Sequence, residues 1–160
     1  MRMRWMSGLV TLAMMAGVCW GEEPSEPAKF YKLEFVVKEV AGTKVLNSRT
    51  YTTMASTGLT ADIRAGSKVP FVLGPNSTTQ IDVGVNIEVK MMKEVQGHLT
   101  FNIVAEISSL ADDKMQPTIR QNRWGSAMMV PLKKSTLLFS SENVDAKSQM
   151  QIEVTATPLP

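Results

Sequence analysis

Ile81-Asp82-Val83-Gly84-Val85-Asn86-Ile87-Glu88-Val89-Lys90-Met91 decides the fold of this chain, because its apolar and polar residues alternate without a break. Ile81, Val83, Val85, Ile87, Val89 and Met91 share one face of an extended chain; Asp82, Gly84, Asn86, Glu88 and Lys90 share the other. Successive side chains of a strand point to opposite faces, so a period of two over this length predicts a half-buried strand. A second segment repeats the pattern, with Leu99, Phe101, Ile103, Ala105 and Ile107 set against His98, Thr100, Asn102 and Glu106. The short connection Lys93-Glu94-Val95-Gln96-Gly97 favours an antiparallel hairpin between the two. One polar face implies one side open to solvent or a lumen, which antiparallel sheets permit and buried parallel sheets do not.

Working outward, Tyr31, Leu33, Phe35 and Val37 alternate with Lys32, Glu34, Val36 and Lys38, and Ala41-Gly42-Thr43 supplies a turn into residues 44–54, rich in Thr, Val and Tyr. These form an N-terminal hairpin. Residues 111–117 form a polar loop, after which residues 119–129 and 135–140 read as strands split by Pro131. Met150, Ile152, Val154 and Ala156 alternate with polar neighbours in a last strand ended by Pro158 and Pro160. No long segment after residue 21 has a helical period. The expected fold is all-β, an antiparallel β-sandwich or partly open barrel of about eight strands.

The N-terminus reads as an export signal: Arg2 and Arg4 precede the apolar residues 9–18, and Gly17-Val18-Cys19-Trp20-Gly21 offers small residues for cleavage. The apolar run is shorter than the ~20 residues of a comfortable membrane span, and the acidic Glu22-Glu23-Pro24-Ser25-Glu26-Pro27 follows it. The expected organisation is a signal peptide over residues 1–21, a flexible Pro/Glu leader over 22–29 and a single β domain over 30–160, with no transmembrane helix after cleavage. Bulky Val18 before Cys19 weighs against lipidation of that cysteine. Cleavage takes two from the 17 basic side chains and none from the 15 acidic ones, so the mature chain is formally neutral. The pI of 8.7 is therefore partly a property of the signal, and no nucleic-acid partner is expected. The only cysteine leaves as well, which excludes disulfides and cysteine metal sites.

Three motifs in one order carry a resemblance: Ala65-Gly66-Ser67-Lys68-Val69-Pro70-Phe71, then Asp82-Val83-Gly84, then the apolar strand ending in Glu106-Ile107-Ser108-Ser109. Together they resemble the core domain of bacterial secretins, the ring-forming outer-membrane channels of secretion and pilus systems. The match is partial and runs from about Arg64 to Val144. The Pro-x-Ile-Arg pattern of Pro117-Thr118-Ile119-Arg120 belongs to it. Lys133-Lys134-Ser135-Thr136 and the residues after it lack the glycines that secretins carry there, and the ring domains that precede the secretin core have no counterpart. The resemblance implies a stand-alone domain of the cell envelope, in the periplasm, at the outer membrane or secreted, with a structural, assembly or accessory role. It also implies self-association or a protein partner, and association with the outer membrane.

Candidate interface residues follow. Gly84 sits mid-strand, where glycine marks a bulge or the close approach of another backbone. Pro70 and Phe71 mark an edge or loop segment, because proline lacks the donor a central ladder needs. Arg120, Arg123 and Trp124 are types that favour interfaces, and equally a tryptophan packed at a sandwich corner under arginines. No catalytic set is expected. His98 is the sole histidine, and Asp112-Asp113 lacks the spacing of a calcium loop. Asn76-Ser77-Thr78 fits a glycosylation acceptor or a plain surface loop. No cofactor or metal is expected. A monomeric β-sandwich that binds a peptide, glycan or envelope component through an edge or loop is the alternative function, and a hydrolase on a β scaffold a minor one.

Overall fold

The computed structural model describes residues 27–74, 77–111, 118–142 and 147–160. The signal segment, most of the leader, Asn76 and the Asp112-Asp113 loop lie outside the described residues. Eight strands form two four-stranded antiparallel sheets, with no closed barrel. The first sheet holds β1 (Phe30–Ala41), β2 (Lys44–Ser56), β7 (Thr136–Glu142) and β8 (Gln149–Pro158) in the order β2-β1-β8-β7. The second holds β3 (Ala61–Gly74), β4 (Ser77–Val95), β5 (His98–Ala111) and β6 (Thr118–Pro131) in chain order. β2 lies beside β3 and β6 beside β7, so the two sheets share both flanks.

The period of two sets the core. β1 turns Tyr31, Leu33, Phe35 and Val37 inward and β8 turns in Ile152, Val154 and Ala156; they pack on Val85, Ile87 and Val89 of β4 and on the apolar face of β5. Leu33, Phe35 and Leu99 are fully buried. Each such side chain contributes ~1.5–3 kcal/mol of transfer free energy.

Turn chemistry fixes the registers. Gly42 (φ 59°) is the first of two residues between the paired Ala41 and Lys44, the position a type II′ hairpin reserves for glycine. Gln96 (φ 50°) and Gly97 (φ 75°) lie between the paired Val95 and His98 and make a turn with both residues at positive φ, tighter than the five-residue connection expected. A bulge between Lys90 and Lys93 corrects one assignment. Two residues there oppose the single Phe101, so Met92 enters the core and Met91 (φ 54°) is 73% exposed rather than on the apolar face.

The start of β1 and the end of β8 close one end of the sandwich, where Leu159 N–H donates to Phe30 O (2.8 Å) and Lys133 N–H to Ala156 O (2.7 Å). Here the hydroxyl of buried Tyr31 donates to Glu94 Oε2 at 2.6 Å, and Lys29 Nζ reaches the same oxygen at 3.0 Å. On the outer face of the first sheet, Glu153 accepts from Lys38 Nζ at 2.7 Å and Ser135 Oγ at 3.1 Å. The Tyr31 hydroxyl, then Lys29, holds the Glu94 carboxyl below its ordinary value. Lys38, then Ser135 against some burial, does the same for Glu153. A carboxylate with a lowered folded pKa binds fewer protons folded than unfolded, so its stabilisation is complete above the ordinary carboxylate range and is lost as pH falls through the folded value. Glu94→Gln/Glu153→Gln is therefore expected to lose less stability than the parent chain between about pH 6 and about pH 3. Urea unfolding at each pH checks this, and equally steep losses would contradict it.

Candidate interface and the fork at Gly84

β4 and β5 pair only from Val85↔Ile107 to Val95↔His98. Beyond Val85, residues 77–84 pair with β3 alone, and residues 108–111 pair with β6 alone. The second sheet therefore forks into two hairpin arms at the end opposite Phe30 and Leu159, and Gly84 and Ser108 stand at the crotch.

Gly84 pairs with Gly66 across β3 and β4 with no register shift, so its place reflects close approach rather than a bulge. Its φ of 151° lies where side chains are rarely found. A Cβ there would strike the carbonyl oxygen of Ala65 and come within 2.5 Å of Gly66 Cα; one on Gly66 would strike the carbonyl of Val83. The ladder partner lost at the fork is replaced by a side chain: Gly84 N–H donates to Ser108 Oγ at 3.0 Å, and that hydroxyl lies 3.4 Å from the carbonyls of Asp82 and Gly84. A buried backbone donor without a partner costs about as much as a lost hydrogen bond, so the serine stabilises the split. The Asp-Val-Gly strand and the serine after Glu106-Ile107 thus meet in space. The roles of Gly66 and Ser108 were not legible from their own neighbours, because Ser108 does not break the alternation around it and Gly66 lies in an edge strand with no alternation to break.

Pro70 and Phe71 lie on the β3–β4 arm, paired with Gln80 and Thr79. Proline is tolerated because β3 is an edge strand. Arg120, Arg123 and Trp124 do not share a face. Trp124 pairs with Ala105 on the core side and stacks on Phe139 of β7, centroids 5.3 Å apart, joining the two sheets. Arg123 is exposed on the outer face opposite Glu106, and Arg120 lines the sandwich mouth opposite Ser109. Trp124→Ala is expected to cost about 2–3 kcal/mol, below the range for a fully buried tryptophan because the ring is half-buried. Guanidinium unfolding reads it, and an unchanged midpoint would contradict the packing role.

A cavity of about 500 Å³ opens at the mouth of the sandwich, lined by Glu39, Arg49, Tyr51, Arg120 and Glu142 among others. Glu39 accepts a 2.7 Å bond from the hydroxyl of buried Ser148. His98 is exposed at the β4–β5 turn, its Nδ1 3.1 Å from Gln96 O. Among the described residues no three His, Cys, Asp or Glu side chains gather as metal ligands would.

No family model matches this sequence, and no curated protein matches it. Solved structures do. The chain is similar to the InvG secretin-domain β-barrel of the Salmonella SPI-1 injectisome at 7% identity and TM-score 0.54, over 83% of this chain and 62% of that one. It is similar to the type II secretion secretin XcpQ of Pseudomonas aeruginosa at 11% identity and TM-score 0.52, over 82% and 57%. It is also similar to a chain of the ETEC pilotin–secretin AspS–GspD complex at 8% identity and TM-score 0.50, over 82% and 47%. The chain has the fold of the secretin core domain, and it spans less than two thirds of each of these chains.

Proposed function

We propose that this chain is an exported, non-enzymatic protein of the cell envelope that builds a wall by joining copies of itself edge to edge. The observation that carries this reading is the placement of open edges: one flank of the sandwich presents β2 and β3, the other β7 and β6. Each sheet has four antiparallel strands, so its first and last strands run in opposite directions. β6 of one copy then meets β3 of the next in antiparallel fashion, and β7 meets β2 likewise, with every copy in the same orientation. Such a heterologous contact repeats until it closes into a ring or runs on as a filament.

The edges support this in detail. Residues 44–50 of β2 are exposed on both faces, including Val45 at 52% and Leu46 at 50%, and such an edge strand, paired on one side only, is a template for another chain. The fold shared with a secretin-domain β-barrel supports self-association, and the pilotin–secretin complex supports a further protein partner. The positively charged, apolar N-terminus supports export, in keeping with the periplasm or outer membrane. The mouth cavity favours a second reading, a monomeric binding module for a peptide or glycan.

Hydrogen exchange on the processed chain tests the proposal. Alternate amides of β3 and β6 should be protected at high concentration and exchange freely on dilution, while those of β4 and β5 stay protected throughout. Free exchange along both edges at every concentration would overturn it.

A further inference from the structure

Resting on that reading, we propose the register of the contact: β6 of one copy pairs with β3 of the next two residues out of level, so that Arg123 faces Asp62 of the neighbouring copy. The pairing of the second sheet sets the levels. Arg64, Asn86, Glu106 and Arg123 lie in one row across it, and all four side chains are on the outer face, opposite in phase to the core residues Ile63, Val85, Ala105 and Trp124. Copies joined without stagger would continue that row from Arg123 into Arg64 of the next copy. Two exposed guanidinium groups would then sit directly opposite each other, and like charges so placed are destabilising.

A shift of two residues toward the start of β3 keeps every side chain on its own face, since the strand period is two. It replaces Arg64 with Asp62. The exchange relieves a conflict already present in the chain, because Asp62 and Glu88 are directly paired on that outer face, two carboxylates side by side. Each has a cation of its own strand near it, Arg64 Nε at 3.5 Å from Asp62 and Lys90 Nζ at 3.0 Å from Glu88, and among the described residues no other cation pairs with Asp62. Arg123 of the adjoining copy supplies one, and the row becomes Glu106, Arg123, Asp62, Glu88 across the seam. The opposite shift would set Arg123 against Gly66, which has no side chain to answer it. In the proposed register Pro70, which offers no ladder donor, falls beyond the first residue of β6 and outside the paired stretch.

Disulfide trapping decides the register. Directly opposed residues have Cβ atoms about 4.5–5.5 Å apart and diagonal ones about 7–8 Å, while a disulfide needs about 3.5–4.5 Å, so only an opposed pair closes readily. Asp62→Cys/Arg123→Cys and Arg64→Cys/Arg123→Cys are compared in a Cys19→Ser background, oxidised at assembling concentration and separated without reductant. Both pairs sit on exposed positions, and unchanged unfolding midpoints of the reduced chains confirm that folding is intact. The expected result is a ladder of covalent multimers from the 62/123 pair and little from the 64/123 pair. A ladder from 64/123 instead overturns the stagger and leaves edge pairing standing. No ladder from either pair, in chains that light scattering shows to be monomeric, overturns edge pairing itself. No ladder from either pair in chains that do assemble overturns the β3–β6 seam.

Discussion

Gly84→Ala is expected to destabilise the chain by about 2–6 kcal/mol, the sum of about 1–3 for holding a side chain at a disfavoured φ and about 1–3 for forcing two backbones apart. The new methyl group would meet the Ala65 carbonyl and Gly66 Cα, which are backbone atoms and cannot swing aside as a side chain would. Moving β3 away would also disturb the Ser108 hydroxyl that holds Gly84 N–H. Gly66→Ala should cost about 1–3 kcal/mol, the steric part alone, since its Cβ meets the Val83 carbonyl but its φ is not a disfavoured one. Gly125 is the contrasting case within the same sheet. A Cβ there would have only ordinary neighbours at 3.6 and 3.7 Å, and its φ is unremarkable, so Gly125→Ala should be neutral or stabilising by about 0.5 kcal/mol through a less flexible unfolded chain. Equilibrium unfolding of the three variants makes the comparison. Equal midpoints for Gly84→Ala and Gly125→Ala would mean that β3 and β4 do not meet as closely as described.

Phe35→Ala should cost about 3–5 kcal/mol, from lost transfer free energy and the cavity left behind. Phe35 is fully buried between β2 and β8, paired with Tyr51 on one side and Val154 on the other. Its neighbour Val36 faces outward and is only partly covered, so Val36→Ala should cost less than about 1 kcal/mol. Two adjacent positions with opposite consequences test the phase of β1 directly, because a register slip of one residue would exchange them. Similar losses at the two sites would contradict the sandwich.

The phase of each strand also sets how far its burial can be read from sequence. Period two was plain wherever a strand has one buried face along its length, as in Tyr31 to Val37, Leu99 to Ile107 and Met150 to Ala156, and these strands form the core as expected. It failed where burial is incomplete. β3 was legible only around Val69-Pro70-Phe71, because it is an edge strand carrying Gly66 and Pro70, and Ser77 and Thr78, which also read as surface loop, already belong to β4. Those first residues of β4 lie past the fork, paired with β3 alone and largely exposed, so burial selects no clear apolar face there. Met91 reads as inward by alternation because a bulge leaves no trace in the sequence, yet Met92 takes its place in the core. The pairing of β1 with β8 spans nearly the whole chain and is set by packing, not by any local signal. Among the interface candidates, Gly84 was legible as a special backbone position but not as close approach rather than a bulge, while Arg120, Arg123 and Trp124 are near one another in sequence yet fall on both faces of β6 for the reason that makes it a strand.

The measurement that tests wall-building most directly is the molar mass of the processed chain in solution, by light scattering behind size exclusion, across dilution and with mild detergent. Head-to-tail pairing of both flanks predicts a defined multimer far larger than a dimer, shrinking on dilution as the seams open. A monomer of constant mass under every condition, or a dimer that grows no further, would contradict it and direct attention to the cavity at the mouth of the sandwich.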